Sequence, residues 1–129
     1  MSENFTVEII SPDKSIIKTE TNEVIIPSFE GEMGILKDHI PFITFLRPGI
    51  VKLSDKNMER FFIEEGTVEF SNNNLLILTS SAKDLANFDK SLVNELFQEA
   101  EEKLNNLDIT DKDRYLTSYK LETLKEISQ

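Results

Sequence analysis

The chain has no cysteine, no tryptophan and a single histidine, with only four glycines and four prolines among 129 residues. Lack of cysteine excludes a disulfide framework and thiolate metal sites, and fits a reducing compartment. With His39 alone, neither a Cys/His couple nor a multi-histidine metal centre can form within one chain. No Gly-x-Ser-x-Gly elbow, phosphate-binding loop or dinucleotide fingerprint occurs, so neither catalysis nor a bound cofactor is expected. Neighbouring carboxylates such as Glu30 and Glu32, or Glu64 and Glu65, suit turns better than a glycosidase cleft. No run approaches the roughly 18 consecutive apolar residues of a membrane span. The start, Met1-Ser2-Glu3-Asn4, lacks the regions of a signal or transit peptide, so any membrane association is expected through partners only. Positive charge is scarce as well. Twenty-four acids against 14 bases leave a net charge of −10, which repels nucleic acid and anionic lipid and favours a basic protein surface. The bland reading of that acidity is solubility.

What is present is strongly organised. Three of the four prolines and three of the four glycines fall between Pro27 and Val51. That concentration predicts a shaped, rigid loop, with Gly31 and Gly34 pinning bends around Glu32 and Met33. Pro41 holds Ile40 out of the helical region, and Pro48-Gly49 reads as a turn between strands at Phe42–Leu46 and Ile50–Leu53. Around this stretch the chain alternates. Phe5, Val7 and Ile9 have strand period, and further extended runs are predicted at Ser15–Thr19, Glu23–Ile26, Arg60–Glu64, Thr67–Phe70 and Leu75–Thr79. Asp55-Lys56-Asn57 and Asn72-Asn73-Asn74 read as turns. Eight or more short strands predict an all-β sandwich or flattened barrel over residues 1–86.

From Asp89 onward the period becomes helical. Leu92, Val93, Leu96, Phe97, Ala100, Leu104 and Leu107 fall in one arc, behind a plausible N-cap at Asp89. After Asn105-Asn106 a second helix is predicted over 111–127, opened by Thr110-x-x-Asp113 and striped by Leu116, Tyr119, Leu121, Leu124 and Ile127. Residues 87–129 therefore read as an antiparallel helical hairpin, whose first-helix stripe docks on the sandwich or on a partner.

Function-bearing residues are few. Glu32, between small neighbours, can project its carboxylate, although a solvated loop acid is the plain alternative. His39 could titrate near neutrality as a pH sensor, or brace the loop by bonding nearby backbone. A binding module remains: a stiff β platform with a presented loop and a helical tail.

Gly31-Glu32-Met33-Gly34-Ile35-Leu36, then His39-x-Pro41, then Leu46-x-Pro48-Gly49, resembles the bacterial F-type ATP synthase epsilon subunit family. Val7-x-Ile9-x-Ser11-Pro12, Gly66-x-Val68-Glu69-Phe70 and Leu76-Ile77-Leu78-Thr79 extend the resemblance through the β part, whereas the helical part matches in pattern alone. The resemblance implies an N-terminal β-sandwich and a C-terminal helical hairpin in the rotating central stalk. It also implies contact with the gamma subunit and the c-ring, and a peripheral place on the cytoplasmic face of the bacterial inner membrane. It further implies that Glu30, Glu32 and His39 meet the c-ring, while Gly31, Gly34, Pro41, Pro48 and Gly49 shape the loop. The hairpin of such subunits can extend toward the catalytic alpha and beta subunits and restrain ATP hydrolysis. Here Lys112, Arg114, Lys120 and Lys125 are balanced by Asp111, Asp113, Glu122 and Glu126, which predicts weak restraint. An Asp-x-x-Arg-Ala-type motif is absent, which predicts no ATP sensing. Ser28, Lys37 and Glu65 depart from the family's usual residues. A stand-alone acidic binding or regulatory module is the alternative.

Overall fold

A computed structural model describes residues 3–55 and 57–128 of the chain, which divides into two compact units at Ala86/Asn87. The first unit carries ten strands: β1 (Phe5–Ile10), β2 (Ser15–Thr21), β3 (Glu23–Ser28), β4 (Gly31–Leu36), β5 (Phe42–Leu46), β6 (Gly49–Leu53), β7 (Arg60–Ile63), β8 (Gly66–Ser71), β9 (Asn74–Leu78) and β10 (Lys83–Asp84). They form one curled sheet with two halves. One half runs β10-β7-β6-β3-β4 and the other β5-β8-β9-β1-β2, joined where Ser28 of β3 pairs with Leu46 of β5. Neighbours are antiparallel except β1 and β9, which run parallel from Thr6 opposite Asn74 to Ile10 opposite Leu78.

The alternation read from the sequence is the reason the sheet closes. Along β1, Phe5, Val7 and Ile9 are buried while Thr6, Glu8 and Ile10 are partly exposed. Equivalent inward positions from both halves, among them Val24, Ile26, Phe61, Ile63, Phe70, Leu75 and Ile77, meet in a single apolar cluster. Burying each such side chain contributes roughly 1.5–3 kcal/mol, so the core outweighs any surface interaction described below. Asn72 and Asn73 make the β8–β9 turn at φ 49° and 58°, the left-handed conformation expected of asparagines there. Lys56, in the expected Asp55–Asn57 turn, lies outside the described residues.

The central stretch corrects the sequence reading. The stretch from Gly31 to Gly34, expected to make two bends around Glu32 and Met33, instead lies in strand β4, paired with β3 from Glu23 opposite Leu36 to Ser28 opposite Gly31. Only Gly31 has the positive φ, 124°, while Gly34 is an ordinary strand residue. Strand β3 also continues through Pro27, whose missing N–H is tolerated where β3's other edge passes from β6 to β5. Gly49 belongs to β6, and its role is close approach. A Cβ there would sit 2.5 Å from Pro27 Cβ. Strands β5 and β6, linked by Arg47-Pro48, share β3 but have different second partners, β8 and β7, so the link turns the chain from one half of the sheet to the other.

The second unit holds α1 (Lys90–Leu104) and α2 (Asp111–Ile127), which pack on each other. The Asp89 side chain accepts from Ser91 N–H, and the Thr110 hydroxyl oxygen accepts from Asp113 N–H, so both N-termini are capped as their sequences predict. On α1, Val93 and Ala100 are buried and Leu92, Leu96, Phe97 and Leu104 half-buried, whereas Leu107, expected in the same arc, lies past the helix end and is exposed. On α2 the buried residues are Thr117, Thr123 and Leu124, while the rest of the expected stripe stays partly exposed. Thr123 is accommodated because its hydroxyl donates to Tyr119 O at 2.8 Å.

Candidate functional site

The turn between β3 and β4 presents the two carboxylates singled out in the sequence. Ser28 closes it, donating from Oγ to Gly31 O at 2.7 Å, so the serine at this unusual position is used. Phe29 N–H donates to Phe45 O and Arg47 N–H to Pro27 O, which ties the turn to the end of β5. Glu30 and Glu32 are both exposed beside each other at this end of the sandwich. Glu32 is not a solitary acid, because Lys52 of β6 approaches its carboxylate at 3.9 Å. With the Glu32 side chain 62% exposed, that pair is worth about 0.2–1 kcal/mol and leaves the carboxylate open to an outside cation.

Next to the acidic turn lies an apolar surface that sequence reasoning missed. Strand β5 buries Leu46 and half-buries Phe42 and Thr44, but turns Ile43 and Phe45 outward at 74% and 61% exposure. Across β8, Leu78 of β9 is exposed as well, and Phe29 of the β3–β4 turn adjoins Phe45. The signal was available: a strand reading Phe-Ile-Thr-Phe-Leu has no polar face, which a half-buried strand should have.

His39 is placed elsewhere. Strand β4 is six residues long, about 20 Å, and separates the Glu30–Glu32 turn from the loop at 37–41. Strand β5 confirms the polarity, with Phe42 opposite Phe70 at one end and Leu46 opposite Ser28 at the other. The structure thus places Glu30 and Glu32 at one end of β4 and His39 beyond the other. The imidazole Nδ1 lies 2.8 Å from Ile40 O, and the ring stands edge-on to Phe42 and Phe70 at centroid distances of 5.2 and 6.0 Å. That is the bracing arrangement. Pro41 caps the same loop, and Asp38 takes φ 66° just before His39.

Perturbed acids lie outside this region. Burial raises the Glu59 carboxyl above its ordinary value, reinforced by a hydrogen bond to, and the charge of, Asp55. Asp89 is lowered by the hydrogen bonds it accepts from Ser91 as the α1 cap. Among the described residues no group of three or more His, Asp or Glu is placed to hold a metal ion, and no helix is long and apolar enough to cross a membrane.

A β-sandwich with an exposed acidic turn and an exposed apolar face, followed by a helical hairpin, has the surface of a subunit of a larger assembly. Residues 4–84 match the family described as the ATP synthase, Delta/Epsilon chain, beta-sandwich domain. An ATP synthase epsilon chain of Pelagibacter ubique is 49% identical over 130 aligned residues, spanning 99% of this chain and all of the relative. The ATP synthase epsilon chain of Dichelobacter nodosus is 34% identical over 84% of this chain and 77% of its own, and the mitochondrial ATP synthase subunit delta of Schizosaccharomyces pombe is 34% identical over 83% and 66%. A chain in the Euglena gracilis mitochondrial ATP synthase structure has the same fold, with TM-score 0.75 at 22% identity over 97% of this chain and 79% of that one. The chain belongs to the ATP synthase delta/epsilon family, among the epsilon chains of the bacterial type.

Proposed function

We propose that this chain is a non-catalytic central-stalk subunit that couples the gamma subunit to the c-ring during proton-driven ATP synthesis. The observation that carries it is the adjacency of two chemically different surfaces on one stiff sheet: the Glu30–Glu32 turn and the apolar face of Ile43, Phe45 and Leu78. The carboxylates suit cationic loops of a c-ring, and the apolar face suits the gamma subunit. Magnitudes divide the labour. An exposed ion pair gives about 0.2–1 kcal/mol and chiefly sets register. Covering a large apolar side chain gives roughly 1.5–3 kcal/mol before the costs of association, so affinity comes from the gamma contact. Torque then passes through a core-packed β platform with no bond made or broken.

In this reading the ring contact rests on Glu30 and Glu32, and His39 serves the opposite end. The subunit lies peripherally on the cytoplasmic face of the bacterial inner membrane, held there by the complex. The half-buried Leu92, Leu96, Phe97 and Leu104 are docking residues of the hairpin, which reaches alpha and beta subunits when extended and restrains hydrolysis weakly because α2 is charge-balanced.

The test uses the assembled enzyme with Glu32→Gln, a change that leaves Lys52 unopposed by a second cation. ATP hydrolysis should persist while proton pumping per ATP falls, and Lys52→Gln should not reproduce the defect. Full coupling in Glu30→Gln/Glu32→Gln enzyme would remove the ring contact from the account. Failure of gamma and c-ring to accompany the chain in a pull-down from solubilised membranes would favour a stand-alone module.

A further inference from the structure

The loop between β4 and β5 is fastened to a distant turn by a reciprocal pair of hydrogen bonds. Asp38 N–H donates to Asn73 Oδ1 at 2.7 Å, and Asn73 Nδ2 donates back to Asp38 Oδ1 at 3.0 Å, across 35 residues of sequence. Both residues sit at positive φ, 66° and 58°, a conformation that Asp and Asn tolerate better than most. The Asn73 carbonyl in turn accepts from Thr6 N–H at 3.1 Å, so the turn is itself anchored to β1. On the loop's other flank His39 N–H donates to Leu36 O, and the imidazole packs edge-on against Phe42 and Phe70. The segment is therefore held from several sides, yet its Ile40 is 74% exposed. A bulky apolar side chain held still in water is a preformed anchor, because a partner that covers it has little loop ordering left to supply. Phe42 packs against the core, while Pro41 and Ile43 on either side of it are exposed, as Ile40 is.

We propose that Asp38 and Asn73 are positioning residues for the gamma contact, holding Ile40 as its anchor at the end of the sandwich opposite Glu30 and Glu32. The inference rests on the gamma reading above.

The experiment measures binding of the full-length chain to full-length gamma subunit, with thermal unfolding of each variant in parallel. Asn73→Asp removes the donor and sets two carboxylates face to face. Asp38→Asn/Asn73→Asp restores a donor and an acceptor with their places exchanged, and both residue types keep the backbone conformation. Ile40→Ser and Asn73→Asp should each weaken binding about tenfold, with unfolding midpoints close to that of the unaltered chain. The exchanged pair should recover binding to within about twofold. Should Asn73→Asp misfold, Asp38→Gly takes its place: it keeps the N–H donor, suits the positive φ and loses only the carboxylate, and must weaken binding at an unchanged midpoint. Unchanged affinity in Ile40→Ser or in the latch variants, or a loss that the exchanged pair does not recover, overturns the proposal alone. No binding by the unaltered chain overturns the gamma reading and this inference with it.

Discussion

Gly49 and Glu59 show how single side chains are constrained for opposite reasons. Gly49 is needed because Pro27 Cβ and Cγ would lie 2.5 and 2.9 Å from an added Cβ, and a proline ring held in β3 cannot swing away. Gly49→Ala should therefore destabilise the sandwich by about 1–3 kcal/mol, read as a lower denaturant midpoint with unchanged slope. Glu59 has its carboxyl raised by burial and by Asp55, so the folded state holds that proton more tightly than the unfolded chain does. Its favourable contribution is complete below the unfolded value and is lost as pH rises through the folded value. At neutral pH the ionised side chain is a liability. Glu59→Gln should raise the melting temperature at pH 7, and the gain should shrink toward pH 4. A gain that is instead larger at pH 4 would contradict the assigned direction.

Strand and helix formation separate what was legible from what was not. The hairpin was readable to its ends, because period, caps and breakers agree locally: Asp89 and Thr110 each receive a backbone N–H where the sequence placed a cap. Thr110→Ala should cost α2 about 1 kcal/mol, visible as lost helical ellipticity with the β signal retained. Strand β4 was not readable. Gly-Glu-Met-Gly carries the composition of bends, and only the ladder to β3 across the sheet makes it extended. That miss propagated to the site, since the six residues between Glu32 and His39 look like one loop until a strand is known to separate them. The apolar face failed for another reason. Ile43 and Phe45 satisfy a strand pattern whichever side they face, and only burial distinguishes core from contact surface. Lys52 beside Glu32 and the Asp38–Asn73 pair are long-range neighbours, which no local pattern encodes.

The whole molecule is made of two units, each with its own secondary structure and internal packing. All ladders of the sandwich close within residues 5–84, so removal of residues after Ala86 should leave the β unit folded and able to join the enzyme. A small rise in ATPase activity of the assembled complex is the expected readout, because α2 brings as many acids as bases to any acidic neighbour. A several-fold rise would show that restraint does not depend on net helix charge. The parallel ladder of β1 with β9 has a consequence for how the chain is made. Strand β1 is an interior strand of the finished sheet, and one of its neighbours is not synthesised until Asn74–Leu78 emerge. Until then the β1–β2 hairpin shows a bare hydrogen-bonding edge flanked by Phe5, Val7 and Ile9, which invites the wrong strand. Slowing translation between the codons of Ile10 and Asn74 should thus lower the yield of native protein more than the same pause placed in the hairpin.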